Sequence, residues 1–251
     1  MSRDLSPLSE EERATYDWQM TVPGVGEDGQ RKLKAASVLI SRIGGVGGLV
    51  AHELAAAGVG RLILAHAGTL KPGDLNRQLL MRHDALGTSR IACAAATLRS
   101  YNPAVDIVEI AENIKANNVE RLVDQADVVV CCAPLFTERY LMNEWAVRLG
   151  KPFVDCAMYE LTGQVATTIP GKSACLACRV PSPPDDWQRK FPVFGAVSGV
   201  VGCIGAMEAI KLICGIGELL TDRLLSFDLR EMRFRVFRTQ RRTDCPVCGS
   251  R

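Results

Sequence analysis

The chain has 251 residues, 47% of them hydrophobic, and a formal net charge of +2. That length supports one substantial core, or a core with a small appendage, and the balanced charge excludes a strongly basic nucleic-acid binder. Residues 1–12 are polar and acidic rather than basic then apolar, so no secretory signal is read there.

The longest apolar stretch, residues 197–210, is interrupted by glycines and is read as shorter than a membrane span. A cytoplasmic protein with no membrane contact is therefore expected. Ten cysteines are many for such a chain. In a reducing compartment they point to metal binding or catalysis before disulfides.

In chain order, Ser9 with Glu12 forms a capping-box pattern and predicts a helix over 10–18. The turn Pro23-Gly24-Val25-Gly26 ends it. A short helix over 29–34 and a buried strand over 37–40 come next. The strand runs into Arg42-Ile43-Gly44-Gly45-Val46-Gly47-Gly48, a helix over 49–57 and a second strand over 61–65. This βαβ order predicts a parallel sheet with right-handed crossovers.

Further alternation follows: helix 89–101, strand 106–109, helix 119–125, strand 127–132, helix 137–149 and strand 152–156. After Met158 short strands over 164–169, 224–228 and 233–238 surround one strong helix over 199–214. These strands are expected to be antiparallel and to extend the sheet. Arg alternates with Phe and Val over 230–242, which reads as a half-buried strand with one solvated face. The fold class is thus α/β, a doubly wound, mostly parallel, Rossmann-like sheet extended by antiparallel strands. It divides into a helical arm (1–36), a nucleotide-fold core (37–158) and an antiparallel extension (159–251). A Pro- and Asp-rich loop over 181–192 is expected to be mobile.

Cys175-Leu-Ala-Cys178 and Cys245-Pro-Val-Cys248 are two C-x-x-C knuckles. Each places two thiolates on one tight turn, and together they complete a tetrahedral shell suited to structural Zn²⁺ with no open position. A redox pair or four buried thiols is the competing reading.

A Gly-rich turn after a strand lets backbone N–H groups approach a phosphate at a helix N-terminus, but alone it is a weak signal. The ordered set is more specific: Gly44-Gly45-Val46-Gly47, Ala57-Gly58-Val59-Gly60, Leu75-Asn76-Arg77-Gln78, Cys175-x-x-Cys178, Gly205-Ala206-Met207-Glu208 and Cys245-x-x-Cys248. In this the chain resembles the ThiF/MoeB/HesA family, bacterial relatives of ubiquitin-activating enzymes, over residues 16–249. The resemblance implies a ubiquitin-activating-enzyme-like fold and a homodimer. It also implies adenylation, with ATP·Mg²⁺, of the Gly-Gly carboxylate of a ubiquitin-like sulfur carrier.

Several positions depart from the family pattern. Arg42 replaces the first glycine of the turn. His66 and Gly68 stand at the Asp-x-Asp positions, of which the first holds the ribose. Asp74 replaces an asparagine, Arg90 the phosphate-binding lysine, and Trp18 the arginine of the N-terminal segment. Pro134 stands where the family has its Mg²⁺-binding aspartate, and Phe191 where many relatives have a loop cysteine. Loss of one such charge-stabilising group costs about 3 kcal/mol of transition-state stabilisation.

The expected function is therefore a divergent family member with a lost or altered adenylation site. It would serve as a binding or scaffold component of a sulfur-carrier, cofactor or ubiquitin-like pathway, as a homodimer or beside an intact homologue. The candidate nucleotide- or anion-binding residues are Arg42, Gly44, Gly45, Gly47, His66, Arg77, Gln78 and Arg90, and the ligand is a carrier protein or a small anion. The alternatives are a working adenylyltransferase of a Gly-Gly carrier or small carboxylate, and a dinucleotide-binding oxidoreductase.

Arg77, Arg90, Cys131 and Cys156 are the catalytic candidates. Cys131, Cys132 and Cys156 lie at C-terminal strand ends, where ligands of open α/β sheets bind, but a buried apolar role competes. Cys93, Cys203 and Cys214 read as core, His52 and His83 as surface or packing residues, and Lys211 as a helix partner of Glu208.

Overall fold

The computed structural model describes residues 5–184 and 192–249. Strands β1 (Ser37–Ser41), β2 (Arg61–Ala65), β3 (Asp106–Ile110), β4 (Val128–Cys131) and β5 (Phe153–Tyr159) alternate with helices α3 (Gly45–Ala56), α4 (Arg90–Tyr101), α5 (Val119–Asp124) and α6 (Phe136–Arg148). Strands β6 (Thr162–Thr168), β7 (Arg223–Asp228) and β8 (Arg233–Arg238) follow, with α7 (Leu176–Arg179) and α8 (Gly195–Cys214) between β6 and β7.

The eight strands form one sheet in the order β3-β2-β1-β4-β5-β6-β7-β8. The first five are mutually parallel, and β6, β7 and β8 add antiparallel. Strand order reverses between β1 and β4, the switch point at which open α/β sheets hold their ligands. Two apolar clusters cover the faces, one under α3, α4 and α8 and the other under α5 and α6. Fully buried Val38, Leu39 and Ile40 on β1 supply both.

The helical arm is α1 (Glu10–Met20) and α2 (Gly26–Ala35). The Ser9–Glu12 capping box forms as the spacing predicts. Two side-chain seats tie the arm down. Gln30, fully buried, donates to the carbonyl of Ala57 at 3.0 Å. Asn102 donates to the Tyr16 hydroxyl at 2.9 Å and to the carbonyl of Ala55 at 2.7 Å.

Three expectations change. Residues 197–210 belong to a 20-residue helix, α8, with mean hydropathy 1.7, long and apolar enough by composition to cross a bilayer. It packs instead across α3, β5 and β6. Its glycines are contact positions rather than breaks: a Cβ on Gly202 would lie 2.6 Å from Leu49 Cβ, and one on Gly205 2.4 Å from Cys156 Sγ. Strand β8 is exposed along its whole length rather than half-buried, with Phe234 and Val236 about half exposed. It is the last strand of the sheet, and its alternation therefore has no second layer to face. Cys203 is exposed on α8, whereas Cys93 and Cys214 are buried.

Candidate functional site

A cavity of about 590 Å³ opens at the C-terminal edge of β1, β4 and β5. Three helices begin at its wall: α3 at Gly44, Gly45 and Val46, α6 at Ala133, Pro134 and Phe136, and α8 near Val193 and Ser198. None has a side-chain N-cap hydrogen bond. Each therefore leaves orphan N–H groups and a partial positive charge toward the cavity, a setting that favours an anion. The tight turn needs Gly47, since a Cβ there would lie 2.5 Å from the carbonyl oxygen of Arg42.

Charge in this cavity is paired off. Arg42 has a left-handed backbone, φ 56°. Its guanidinium lies 2.7 Å from Glu138 Oε2, and Glu138 itself is only 3% exposed. Burial pushes the Glu138 carboxyl above its ordinary range, against the pull of Arg42.

Arg90 donates to Asp74 Oδ2 at 2.6 and 3.0 Å, and Gln78 donates to Asp74 Oδ1 at 2.8 Å. Burial alone would raise the Asp74 carboxyl; the Arg90 guanidinium and the Lys71 amide outweigh it and hold it below its ordinary range. Arg139, 7% exposed, makes a bidentate pair with Asp155 at 2.8 and 3.1 Å. Arg77 lines the cavity 4.0 Å from Asp74 Oδ1, with shorter bonds to the Gly73 carbonyl and Asn76.

His66 closes the wall at the end of β2. Burial and the Arg90 charge push it down to about 4, so its ring is neutral near pH 7. Its Nδ1 is buried with no hydrogen-bond partner among the described residues, as are Gln78 Oε1 and Glu138 Oε1. Such an atom costs about 1–3 kcal/mol unless something pairs with it.

The cavity thus brings together Arg42, Gly44, Gly45, His66, Arg77, Gln78, Arg90 and Cys156 from the sequence reading. Cys131 is not among its lining residues. It packs in the cluster under α5 and α6 beside Ser41 Oγ, on the face of the sheet away from the cavity, which corrects its reading as a catalytic group at this site. Trp18 is 89% exposed and does not line the cavity. Phe191 lies outside the described residues, as does most of the loop read as mobile, although Pro184 reaches the rim.

Sequence reasoning missed Glu138, Arg139 and Asp155. Two charged residues in the first turn of a helix that leaves a buried strand, and a carboxylate within the otherwise apolar start of the next strand, were the available signal.

At the other end of the fold Cys175, Cys178, Cys245 and Cys248 are buried with all Sγ atoms within 4.8 Å of one another. Three separations are 3.4, 3.7 and 4.0 Å. Tetrahedral ligation at a Zn–S distance of about 2.3 Å needs sulfurs about 3.8 Å apart, so the donor set fits. The Arg242 amide donates to Cys178 Sγ at 3.4 Å, and Arg241 holds the Cys248 carbonyl. The four cysteines can hold one metal ion.

Residues 16–247 match the model of the ThiF family. The chain belongs to the ThiF family. It is 44% identical to the heterocyst protein HesA of Trichormus variabilis, covering 97% of this chain and 91% of that one. It is 36% identical to the sulfur carrier protein adenylyltransferase of Thermus thermophilus, covering 96% and 92%. Among solved structures, E. coli MccB with MccA-N7isoASN superimposes with a TM-score of 0.85 at 25% identity, over 96% of this chain and 75% of that one. E. coli MccB with ATP superimposes at 0.80 and 26%, over 88% and 69%.

Proposed function

We propose that this ThiF-family chain binds an anionic ligand in the cavity without a protein-held Mg²⁺. It would act as a binding or scaffold component of a sulfur-carrier, cofactor or ubiquitin-like pathway. The ligand class is the carboxylate-ended tail of a small carrier protein, or a small phosphate or carboxylate. A cytoplasmic location and a homodimer, or a pair with an intact homologue, belong to the same reading. So does zinc in the four-cysteine clasp.

The observation that carries it is the pairing of charge. Asp74, Glu138 and Asp155 each meet an arginine, and Pro134 stands where the family pattern has its metal-binding carboxylate. Arg77, close to Asp74 but more loosely paired, and three uncapped helix N-termini face the same space. An anion there meets preorganised positive charge, while Mg²⁺ would have to compete with arginines for every carboxylate at the site.

A second reading, an active adenylyltransferase, is favoured by the name of the Thermus relative and by the MccB–ATP structure. Calorimetric titration separates the two, using ATP, AMP and a Gly-Gly-ended peptide, each with and without Mg²⁺. The proposed function expects binding of at least one of these to be unchanged by Mg²⁺, with no pyrophosphate exchange. Mg²⁺-dependent ATP binding with peptide-stimulated pyrophosphate exchange would overturn it, and so would the absence of any anion binding.

A further inference from the structure

Two cavity-lining thiols take no part in the charge pairs. Cys132 follows β4 and Cys156 lies on β5, and both line the cavity. The parallel register pairs Val130 with Val154 and Cys131 with Asp155. One step on, Cys132 stands beside Cys156. In a parallel pair, residues side by side put their side chains on the same face. Both thiols accordingly lie in the cluster under α3 and α8, while Cys131 lies in the opposite one.

Adjacent strands run about 4.8 Å apart, within the Cα spacing of about 4.4–6.8 Å that a disulfide bridges. The neighbouring Cys156 side chain helps to raise the Cys132 thiol, in keeping with their places side by side on one face of the sheet. Gly205 of α8 leaves the Cys156 sulfur its space, where any Cβ would collide with it. Cys132 sits just past the last strand residue and can adjust without breaking the β4–β5 ladder.

We propose that Cys132 and Cys156 form a redox-active dithiol in the floor of the cavity, closed to a disulfide by exchange with a small anionic disulfide. Cys132 is the more exposed thiol, at 9% against 2%, and reacts first; burial raises it well above the ordinary thiol range, so exchange runs through a small thiolate fraction and quickens as pH rises. Its thiolate attacks one sulfur of the reagent, breaks the reagent's S–S bond and expels one reagent thiolate. A mixed disulfide remains on the protein. The Cys156 thiolate then attacks the Cys132 sulfur and expels the second half. The reagent's S–S bond is reduced to two thiols, which take the two protons lost from the cysteines. An anionic reagent is preferred because the approach passes Arg42, Arg77, Arg90 and Arg139, which outnumber the three carboxylates paired with them. This site does not depend on which ligand the cavity holds.

The test uses the full metal-loaded chain. It is treated with dithiodiglycolate, blocked with iodoacetamide and digested, and the peptides are read by mass spectrometry alongside metal content. The expected product is a Cys132–Cys156 linked peptide, reversed by dithiothreitol, with the clasp metal retained. Cys131→Ser, on the other face of the sheet, should form the link at the wild-type rate, and Cys132→Ser and Cys156→Ser should abolish it. Closure by dithiodiglycolate should be about tenfold faster than by the cationic disulfide cystamine at low ionic strength, and the difference should shrink with salt. Metal loss with disulfides confined to the clasp, or a link that includes Cys131, overturns the proposal. So does a chain whose Cys132 and Cys156 are both alkylated after full exposure to either disulfide. Equal rates with the two reagents overturn the preference for an anionic disulfide.

Discussion

The clasp and the cavity sit in different parts of one fold and are organised by opposite rules. In the clasp four side chains of one type converge on one point, and only another metal-ligating side chain could replace one of them with the shell intact. In the cavity the positive and negative groups come as pairs, Arg42 with Glu138, Arg90 with Asp74 and Arg139 with Asp155. A pair can be exchanged for another pair, or for a neutral contact, with the backbone unchanged. The clasp is therefore constrained by a single geometry, and the cavity by the sum of several exchangeable pairs.

The largest expected effect breaks the clasp. Removing the metal with a chelator, or Cys245→Ser, should lower the thermal midpoint more than any single substitution in the cavity. Structural zinc contributes on the order of 10 kcal/mol of apparent binding free energy in small metal-folded domains. Calorimetric melting with metal analysis checks this, and a metal-free chain that melts at the same temperature would falsify the structural role of the site.

A smaller effect is expected at Arg42. Replacing it by glycine relieves a left-handed backbone worth about 1–2 kcal/mol, but leaves Glu138 buried and unpaired, a loss of about 3–5 kcal/mol. The net is destabilising. Arg42→Gly combined with Glu138→Gln should recover most of the loss, since the orphaned charge is gone. Urea unfolding of the two singles and the double measures the coupling, and additive losses would show that the pair is not the reason Arg42 is tolerated there.

An effect of similar size, seen only in acid, is pH-linked. His66 stays neutral in the folded chain down to about 4, whereas an unfolded histidine takes its proton near 6.5. Its contribution to stability is whole above about pH 6.5 and is lost as pH falls toward 4, by about 3 kcal/mol. His66→Gln removes this part of the acid sensitivity. Its unfolding free energy should fall less than wild type between pH 7 and pH 4, and parallel curves would place the acid sensitivity elsewhere.

Much of the fold was legible because its signals are local. The buried run Val38-Leu39-Ile40, the Ser9–Glu12 box and the two C-x-x-C turns each specify their element within a few residues. The switch from parallel to antiparallel strands after Met158 was legible from the shortening of the strands and the loss of intervening helices. The rest depends on contacts distant in sequence. No pattern near Arg42 announces that Glu138 lies across the sheet edge, and none near Cys131 and Cys132 says which of the two faces the cavity. Glycines in α8 read as interruptions because the partner that needs them, Leu49 on one turn and Cys156 on another, is found only after folding. Strand β8 alternates as a half-buried strand does, yet stands at the edge of the sheet and is exposed along its length.

The seating of the arm carries a last consequence. Tyr16 and Gln30 reach past the boundary drawn at residue 36: Gln30 donates to the carbonyl of Ala57 at the end of α3, and the Tyr16 hydroxyl accepts from Asn102 at the end of α4. The Ala57 carbonyl, which accepts from both Gln19 and Gln30, loses those side-chain partners if the arm lifts away. Opening of the arm and fraying of the α3 terminus are then one event in amide exchange. A chain trimmed at residue 36 would begin not at a clean border but with the tail of its nucleotide-turn helix already loosened.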